Sequence, residues 1–183
     1  MSSGAVEGRP RRQELLSWAD VDRLVDVLVP QLRTVASFDA MVIITRGGII
    51  PGGLIAEAMD IRNVLTASVR FPAGLPEAFG KPAALAALPQ FSQFPDDELL
   101  RGRAILLVDD VWGSGRTSTA VRNRVEAAGG RPYNCVFHFN PYRSLFTRTE
   151  PDFYGAVTDA YIVYPWEIER GQHGIRTQTP RMG

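Results

Sequence analysis

The apolar positions of this chain fall into short continuous runs, each followed by small or charged residues and then by a helical repeat. Ala40-Met41-Val42-Ile43-Ile44 is one such run and Ile105-Leu106-Leu107-Val108 another. Four or five consecutive apolar residues mark a strand buried on both faces. Val64, Leu65 and Val69 predict a looser strand over 63–70, residues 132–139 a further buried one, and residues 154–164 a last one. Between these runs the period lengthens. Trp18, Val21, Val25, Leu28 and Leu32 share one helical face behind the candidate cap Ser17, and Pro30 is expected to kink or end that helix. A helix over 54–59 follows a glycine loop, with Pro51 suited to the first turn. Another carries Ala120, Val121, Arg124, Val125 and Ala128 and stops at Gly129-Gly130. Strands alternating with helices predict an α/β fold with a mainly parallel sheet.

The pattern breaks over 71–101, which holds Pro72, Pro76, Pro82, Pro89 and Pro95, with room for a short helix at 82–88. A long irregular segment inside a compact domain is usually functional or disordered. Residues 1–13, rich in Gly, Ser, Arg and Pro, read as a disordered tail, 14–168 as a single domain carrying that insertion, and 169–183 as a polar tail.

Composition narrows the classes. The 20 basic and 20 acidic residues cancel, which gives no electrostatic reason to expect a nucleic-acid partner. The single cysteine, Cys135, excludes an intrachain disulfide and any thiolate cage, and its apolar run predicts a buried structural thiol. His138, in the same run, reads as a hydrogen-bonded core histidine rather than a general base. No apolar stretch approaches the ~20 residues that span a bilayer, and residues 1–13 lack the apolar core of a signal peptide. A cytoplasmic protein without a membrane partner is expected.

Chemistry concentrates where the 105–108 run meets Asp109-Asp110-Val111-Trp112-Gly113-Ser114-Gly115-Arg116-Thr117. Small residues let a backbone approach a phosphate, and free amides at a helix start point at it with the positive end of the dipole. Ser114 and Thr117 add hydroxyl donors. Asp109 and Asp110 would then lie beside whatever the phosphate carries, and adjacent carboxylates suit the two hydroxyls of a ribose or a hydrated magnesium ion. A second strand–glycine loop–helix unit, Thr45-Arg46-Gly47-Gly48-Ile49-Ile50-Pro51-Gly52, comes first in the chain; Arg46 with the amides around Gly47 and Gly48 suits a pyrophosphate. Neither GxxxxGK[ST] nor GxGxxG is present.

Residues 108–117 resemble the phosphoribosyl pyrophosphate (PRPP) signature of the type I phosphoribosyltransferases. Thr45-Arg46-Gly47-Gly48 with Pro51-Gly52 is similar to the pyrophosphate loop of the bacterial xanthine-guanine group, and Tyr161-Ile162-Val163-Tyr164-Pro165-Trp166-Glu167 to that group's base-binding ending. Over roughly 38–168 the resemblance implies a twisted, mainly parallel five-stranded sheet with helices on both faces, a hood over 71–101 and a C-terminal flap. It implies a cis peptide at Thr45–Arg46, the 5′-phosphate on Gly113, Ser114, Gly115, Arg116 and Thr117, and the pyrophosphate on Arg46, Gly47 and Gly48. Asp109 and Asp110 would hold the ribose hydroxyls and, through water, Mg²⁺. The base would stack on Tyr161, with the Ile162 backbone and Asn140 at its edge. Lys81 or Arg70 is placed to reach the pyrophosphate, a plain surface excursion being the alternative. The implied reaction transfers the phosphoribosyl group from PRPP to a nucleobase, best a 6-oxopurine, in a homodimer or homotetramer.

Two positions depart from the group. Gly113 stands where a further carboxylate, the usual general base, is found, and Asn140 where a lysine contacts the 6-oxo group. Both departures remove charge from the base pocket. Three readings stay open: a 6-oxopurine enzyme with a substitute for that carboxylate, an enzyme for another base, or a PRPP-binding regulator without turnover.

Overall fold

The computed structural model describes residues 12–35, 37–72, 88–146 and 148–168. The described chain runs β1 (Gln13–Leu15), α1 (Trp18–Arg33), β2 (Ala40–Ile44), α2 (Ile49–Met59), β3 (Val64–Arg70), β4 (Gln90–Gln93), a 3₁₀ turn (Asp97–Leu99), β5 (Ala104–Trp112), α3 (Arg116–Ala127), β6 (Arg131–Phe139), β7 (Phe153–Val157), β8 (Tyr161–Val163) and α4 (Pro165–Ile168). The main sheet has the order β4-β3-β2-β5-β6-β7, parallel throughout except that β4 runs antiparallel to β3. β1 and β8 form a separate parallel ribbon.

The continuous apolar runs occupy the middle of the sheet, as burial on both faces requires. Alternate residues of β2, β5 and β6 serve opposite cores. Met41, Ile43, Leu106, Val108, Cys135 and Phe137 pack with Val21, Leu24, Leu28 and Leu32 of α1 and Ile55 of α2. Val42, Ile44, Ile105 and Leu107 pack with Val121 and Val125 of α3. Helices therefore cover both faces. Cys135 is fully buried and desolvation holds its thiol protonated.

Six strands rather than five make up the main sheet. The additional one, β4, comes from the hood, and its Gln-Phe-Ser-Gln sequence has no apolar run to betray it. Polar cross-strand contacts hold it instead: Gln93 Nε2 donates to Thr66 Oγ1 at 2.6 Å and Ser92 Oγ to Ser68 Oγ at 2.9 Å. The helix expected at 82–88 and Lys81 fall almost wholly outside the described residues, as do 1–11 and 169–183 of the two tails.

Four further boundaries differ from the pattern-based reading. Residues 13–15, without an expected strand, pair with β8. The segment expected as one strand over 154–164 is two, broken at 158–160, where Thr158 Oγ1 accepts from the Ala160 N–H. α1 continues three residues past Pro30, since proline removes only one bond of the ladder when its neighbours pack. α2 begins at Ile49, so Gly52 and Gly53 lie within the helix; a Cβ on Gly52 would come within 2.6 Å of Ile43 Cγ1, and the small residue lets helix and strand approach. Ser17 caps α1 as expected, in a capping box with Asp20 that holds the Asp20 carboxyl down at about 2.

Candidate active site

The acidic pair does not follow β5; it lies inside it. Asp109 pairs with Val136 and Val111 with His138 in register on β6, so the strand continues through both carboxylates to Trp112. Asp109 Oδ1 accepts from the Asp110 N–H at 3.0 Å, and Asp110 Oδ1 from the Val111 N–H at 2.7 Å. Each carboxylate is thus fixed by the following amide. Burial raises the Asp109 carboxyl well above its ordinary range, and the neighbouring Asp110 charge adds to the rise. Desolvation likewise raises Asp110. Among the described residues neither carboxylate has an ion-pair partner. Two crowded, partly desolvated anions at the carboxyl end of a central strand are poised for cationic or hydroxyl-bearing ligands.

Two cavities meet at this pair. The first, about 330 Å³, is lined by both aspartates, Gly113, Ser114, Gly115, Thr117, Asn140, Arg143, Tyr161, Ile162 and Glu167 among others. The second, about 450 Å³, is lined by Thr45, Arg46, Gly47 and Ile49, by the same two aspartates, and by Trp166 and Glu167. Each receives a helix N-terminus behind a glycine: α3 behind Gly115, where the Arg116 N–H donates to a side chain, Ser114 Oγ at 3.4 Å, and α2 behind Gly48, where no side chain caps. Free amides and the helix dipole favour phosphate at both places. Gly115 has φ +77°, and a Cβ there would come within 2.5 Å of the buried Trp112 indole nitrogen. The Thr45–Arg46 peptide is cis, as the resemblance implied.

At the far end of the first cavity the β1–β8 ribbon carries Tyr161 and Ile162. The Tyr161 N–H donates to Arg12 O at 2.8 Å and the Leu16 N–H to Val163 O at 2.9 Å. In a parallel ladder the bonds of alternate residues face opposite sides, which turns the Ile162 amide and carbonyl away from β1. Tyr164 stacks on Trp166 with centroids 4.4 Å apart and planes 5° from parallel. Its hydroxyl donates to the Asp110 carbonyl at 3.1 Å and lies 2.8 Å from His138 Nδ1. With the phenol proton committed to Asp110, His138 must offer Nδ1–H to the phenol oxygen. Burial lowers His138 to about 4, so the ring is neutral and serves as a brace.

Most residues singled out from the sequence converge here. Asp109, Asp110, Gly113, Ser114, Gly115, Thr117, Asn140, Tyr161 and Ile162 line the first cavity, and Arg46 and Gly47 the second. Three do not: the Arg116 guanidinium lies 4.1 Å from the Phe71 ring centroid, Gly48 packs against the Val108 carbonyl, and Arg70, at the end of β3, lines neither cavity. Arg143 and Glu167 were missed. Arg143 follows the strand-closing Asn140 by three residues, and Glu167 is the acid of the Pro-Trp-acid ending, which was their available signal. Among the described residues no cluster of three or more metal-ligating side chains occurs. Two carboxylates facing space for phosphate oxygens and water fit magnesium, which commonly takes one or two protein carboxylates and completes its shell from substrate and solvent. No helix among these residues is long and apolar enough to cross a membrane.

No family model matches the chain. Individual proteins do. A xanthine-guanine phosphoribosyltransferase of Ruegeria sp. (strain TM1040) is 30% identical over 159 residues, covering 84% of each chain. One from Chromohalobacter salexigens is 29% identical over 163 residues, covering 87% of each. Among solved structures, a purine phosphoribosyltransferase from Pyrococcus horikoshii superposes with a TM-score of 0.68 at 25% identity, over 84% of this chain and 93% of that one. The xanthine-guanine-hypoxanthine phosphoribosyltransferase of Helicobacter pylori shares the fold at a TM-score of 0.71 and 15% identity, over 90% of this chain and all of the other. Identity of 30% over 84% of each chain shows that the protein belongs to the xanthine-guanine phosphoribosyltransferase family.

Proposed function

We propose that this chain transfers the 5-phosphoribosyl group of PRPP to N9 of a 6-oxopurine (guanine, xanthine or hypoxanthine), giving the nucleoside monophosphate and pyrophosphate. The observation that carries the proposal is the convergence of two phosphate-suited cavities on one carboxylate pair. A substrate with a phosphate at one end and a pyrophosphate at the other, joined through a diol-bearing sugar, matches that arrangement in charge and in order.

In this reading the N-terminus of α3 with Ser114 and Thr117 holds the 5′-phosphate, and Arg46 with the N-terminus of α2 holds the pyrophosphate. Asp109 and Asp110 accept hydrogen bonds from the ribose hydroxyls. As the C1′–O bond to pyrophosphate breaks and C1′–N9 forms, positive charge gathers on the sugar and the fixed carboxylates stabilise it. Asp109 and Asp110 would also hold Mg²⁺, which when bound offsets charge on the departing pyrophosphate. Tyr161 presents a ring face for the planar base, and the outward amide and carbonyl of Ile162 read its edge. Most of the acceleration is then positioning and charge placement.

The test is a product assay by mass with PRPP, Mg²⁺ and a panel of purine and pyrimidine bases, on the native chain and on the D109N/D110N variant. A 6-oxopurine nucleotide from the native chain, and a loss of turnover of at least about 10³-fold in the variant, is the expected result. Tight PRPP binding with no product from any base would identify a PRPP-responsive regulator instead.

A further inference from the structure

The first cavity is short of positive charge. The described residues that line it include three carboxylates, Asp109, Asp110 and Glu167, and one cation, Arg143. A phosphate ester brings a further charge of about −1.5 to −2 at neutral pH. Against it the α3 amides and the hydroxyls of Ser114 and Thr117 offer only partial charges. The arginine of the glycine loop is directed elsewhere: the Arg116 guanidinium lies over the Phe71 ring, 4.1 Å from its centroid.

Arg143 stands on a turn that is tied to the glycine loop. Its N–H donates to Asn140 O at 3.3 Å, which closes the turn after β6. Just beyond it, the Leu145 N–H donates to Ser114 O at 3.1 Å and Trp112 Nε1 donates to Ser144 Oγ at 3.4 Å. The turn is thus docked on residues 112 and 114, where the chain enters α3, and not on β8, which carries Tyr161 and Ile162. The Arg143 side chain is exposed, and among the described residues it makes no ion pair. A guanidinium presents a planar fork of donors that matches two oxygens of one phosphate.

We propose that Arg143 is a binding residue for the 5′-phosphate, a guanidinium supplied by the β6–β7 loop. The phosphate is then held by two separate elements, the amides and hydroxyls of the glycine loop and the charged fork of the turn docked on it. This rests on the transfer reaction proposed above, which puts a 5′-phosphate in this cavity. A sugar without the phosphate forfeits the whole contact, so Arg143 selects nucleotides over nucleosides and phosphorylated over plain ribose.

The experiment is a calorimetric titration of the full chain with guanosine 5′-monophosphate and with guanosine, which differ only in the 5′-phosphate. No pyrophosphate is present, so no reverse transfer takes place. The native protein is compared with the R143M, R143K and R148M variants; Arg148 lies in the same loop but lines a different cavity. The native protein should bind the nucleotide more tightly than the nucleoside. R143M should cut that preference about tenfold, the scale of a hydrogen bond between charged groups, while binding guanosine within about twofold of the native affinity. The guanosine arm also reports that the variant is folded. R143K, which keeps the charge without the fork, should lose less than R143M, and R148M should keep the native preference. A preference untouched in R143M overturns the inference. So does equal weakening of both ligands, which would put the guanidinium on the base or the ribose, or the same loss in R148M, which would mean a general effect of charge. Failure of the transfer reaction itself is read separately, as absence of nucleotide from the native chain with PRPP, and leaves the comparison of the two ligands standing.

Discussion

Gly47 and Gly48 are neighbours with different tasks. A Cβ on Gly47 would meet the Asp110 carboxylate at 2.5 Å, whereas one on Gly48 would meet the Val108 carbonyl at 2.2 Å. A carboxylate can turn aside and a strand carbonyl cannot. Gly47→Ala should therefore fold with near-native stability but lose about 10²-fold in kcat as Asp110 leaves its place. Gly48→Ala should lose about 3 kcal/mol in denaturant unfolding, because the overlap can be relieved only by parting α2 from the sheet. The reverse pattern, a catalytic defect at 48 and a folding defect at 47, would contradict the geometry. Both glycines were legible as a phosphate-loop motif, but the assignment of one to the acidic pair and the other to sheet packing was not. It depends on β5, which comes much later in the chain, lying beside β2.

Among the elements, β1 was invisible to the hydrophobic pattern. Its three residues are exposed, and an isolated polar strand carries no periodic signal. Its role follows from its partner: β1 holds β8, and β8 carries Tyr161 and Ile162. Removing residues 1–15 should raise KM for the base about tenfold while leaving KM for PRPP within about twofold, since the proposed phosphate sites stand on β2, β5 and their helices. A truncated chain with an unchanged base KM would show that β8 keeps its position unaided. The sixth strand, β4, escaped notice for the same reason, being an edge strand joined through glutamine and serine side chains. The central strands were read correctly because burial on both faces leaves an uninterrupted apolar run.

For the whole molecule, His138 couples stability to pH. Its pKa falls from the ordinary 6.5 to about 4 on folding, through burial. Between those values the unfolded chain binds more protons than the folded one, so stability from this group is complete above 6.5 and is lost as pH falls toward 4. The slope reaches up to about 1.4 kcal/mol per pH unit. The carboxylates Asp109 and Asp110 act in the opposite sense, because their raised values make ionisation unfavourable to the fold as pH rises. The difference between the native protein and His138→Gln isolates the histidine: in denaturant unfolding from pH 4 to 7, the native chain should lose stability relative to the variant as pH falls. Parallel curves would mean that folding leaves the His138 pKa at its unfolded value, so that burial does not hold the ring neutral.

By itself the sequence determined the α/β class, the buried central strands, both glycine loops and the acidic pair, because each is written in contiguous residues whose spacing matches a local geometry. Tertiary structure decided what those parts do to one another. The aspartates became a desolvated pair because β6 extends β5 through them, so they sit within the sheet and not in a loop beyond it. Arg143 and Glu167 joined the cavities because two loops and a short helix converge over the strand ends. That Asn140 lines the first cavity with its amide oxygen buried and without a hydrogen-bond partner is likewise a property of its surroundings. Local pattern carries the identity of an element; burial, pKa and unpaired hydrogen-bonding groups arise from contacts between residues far apart in the chain, which no short window contains.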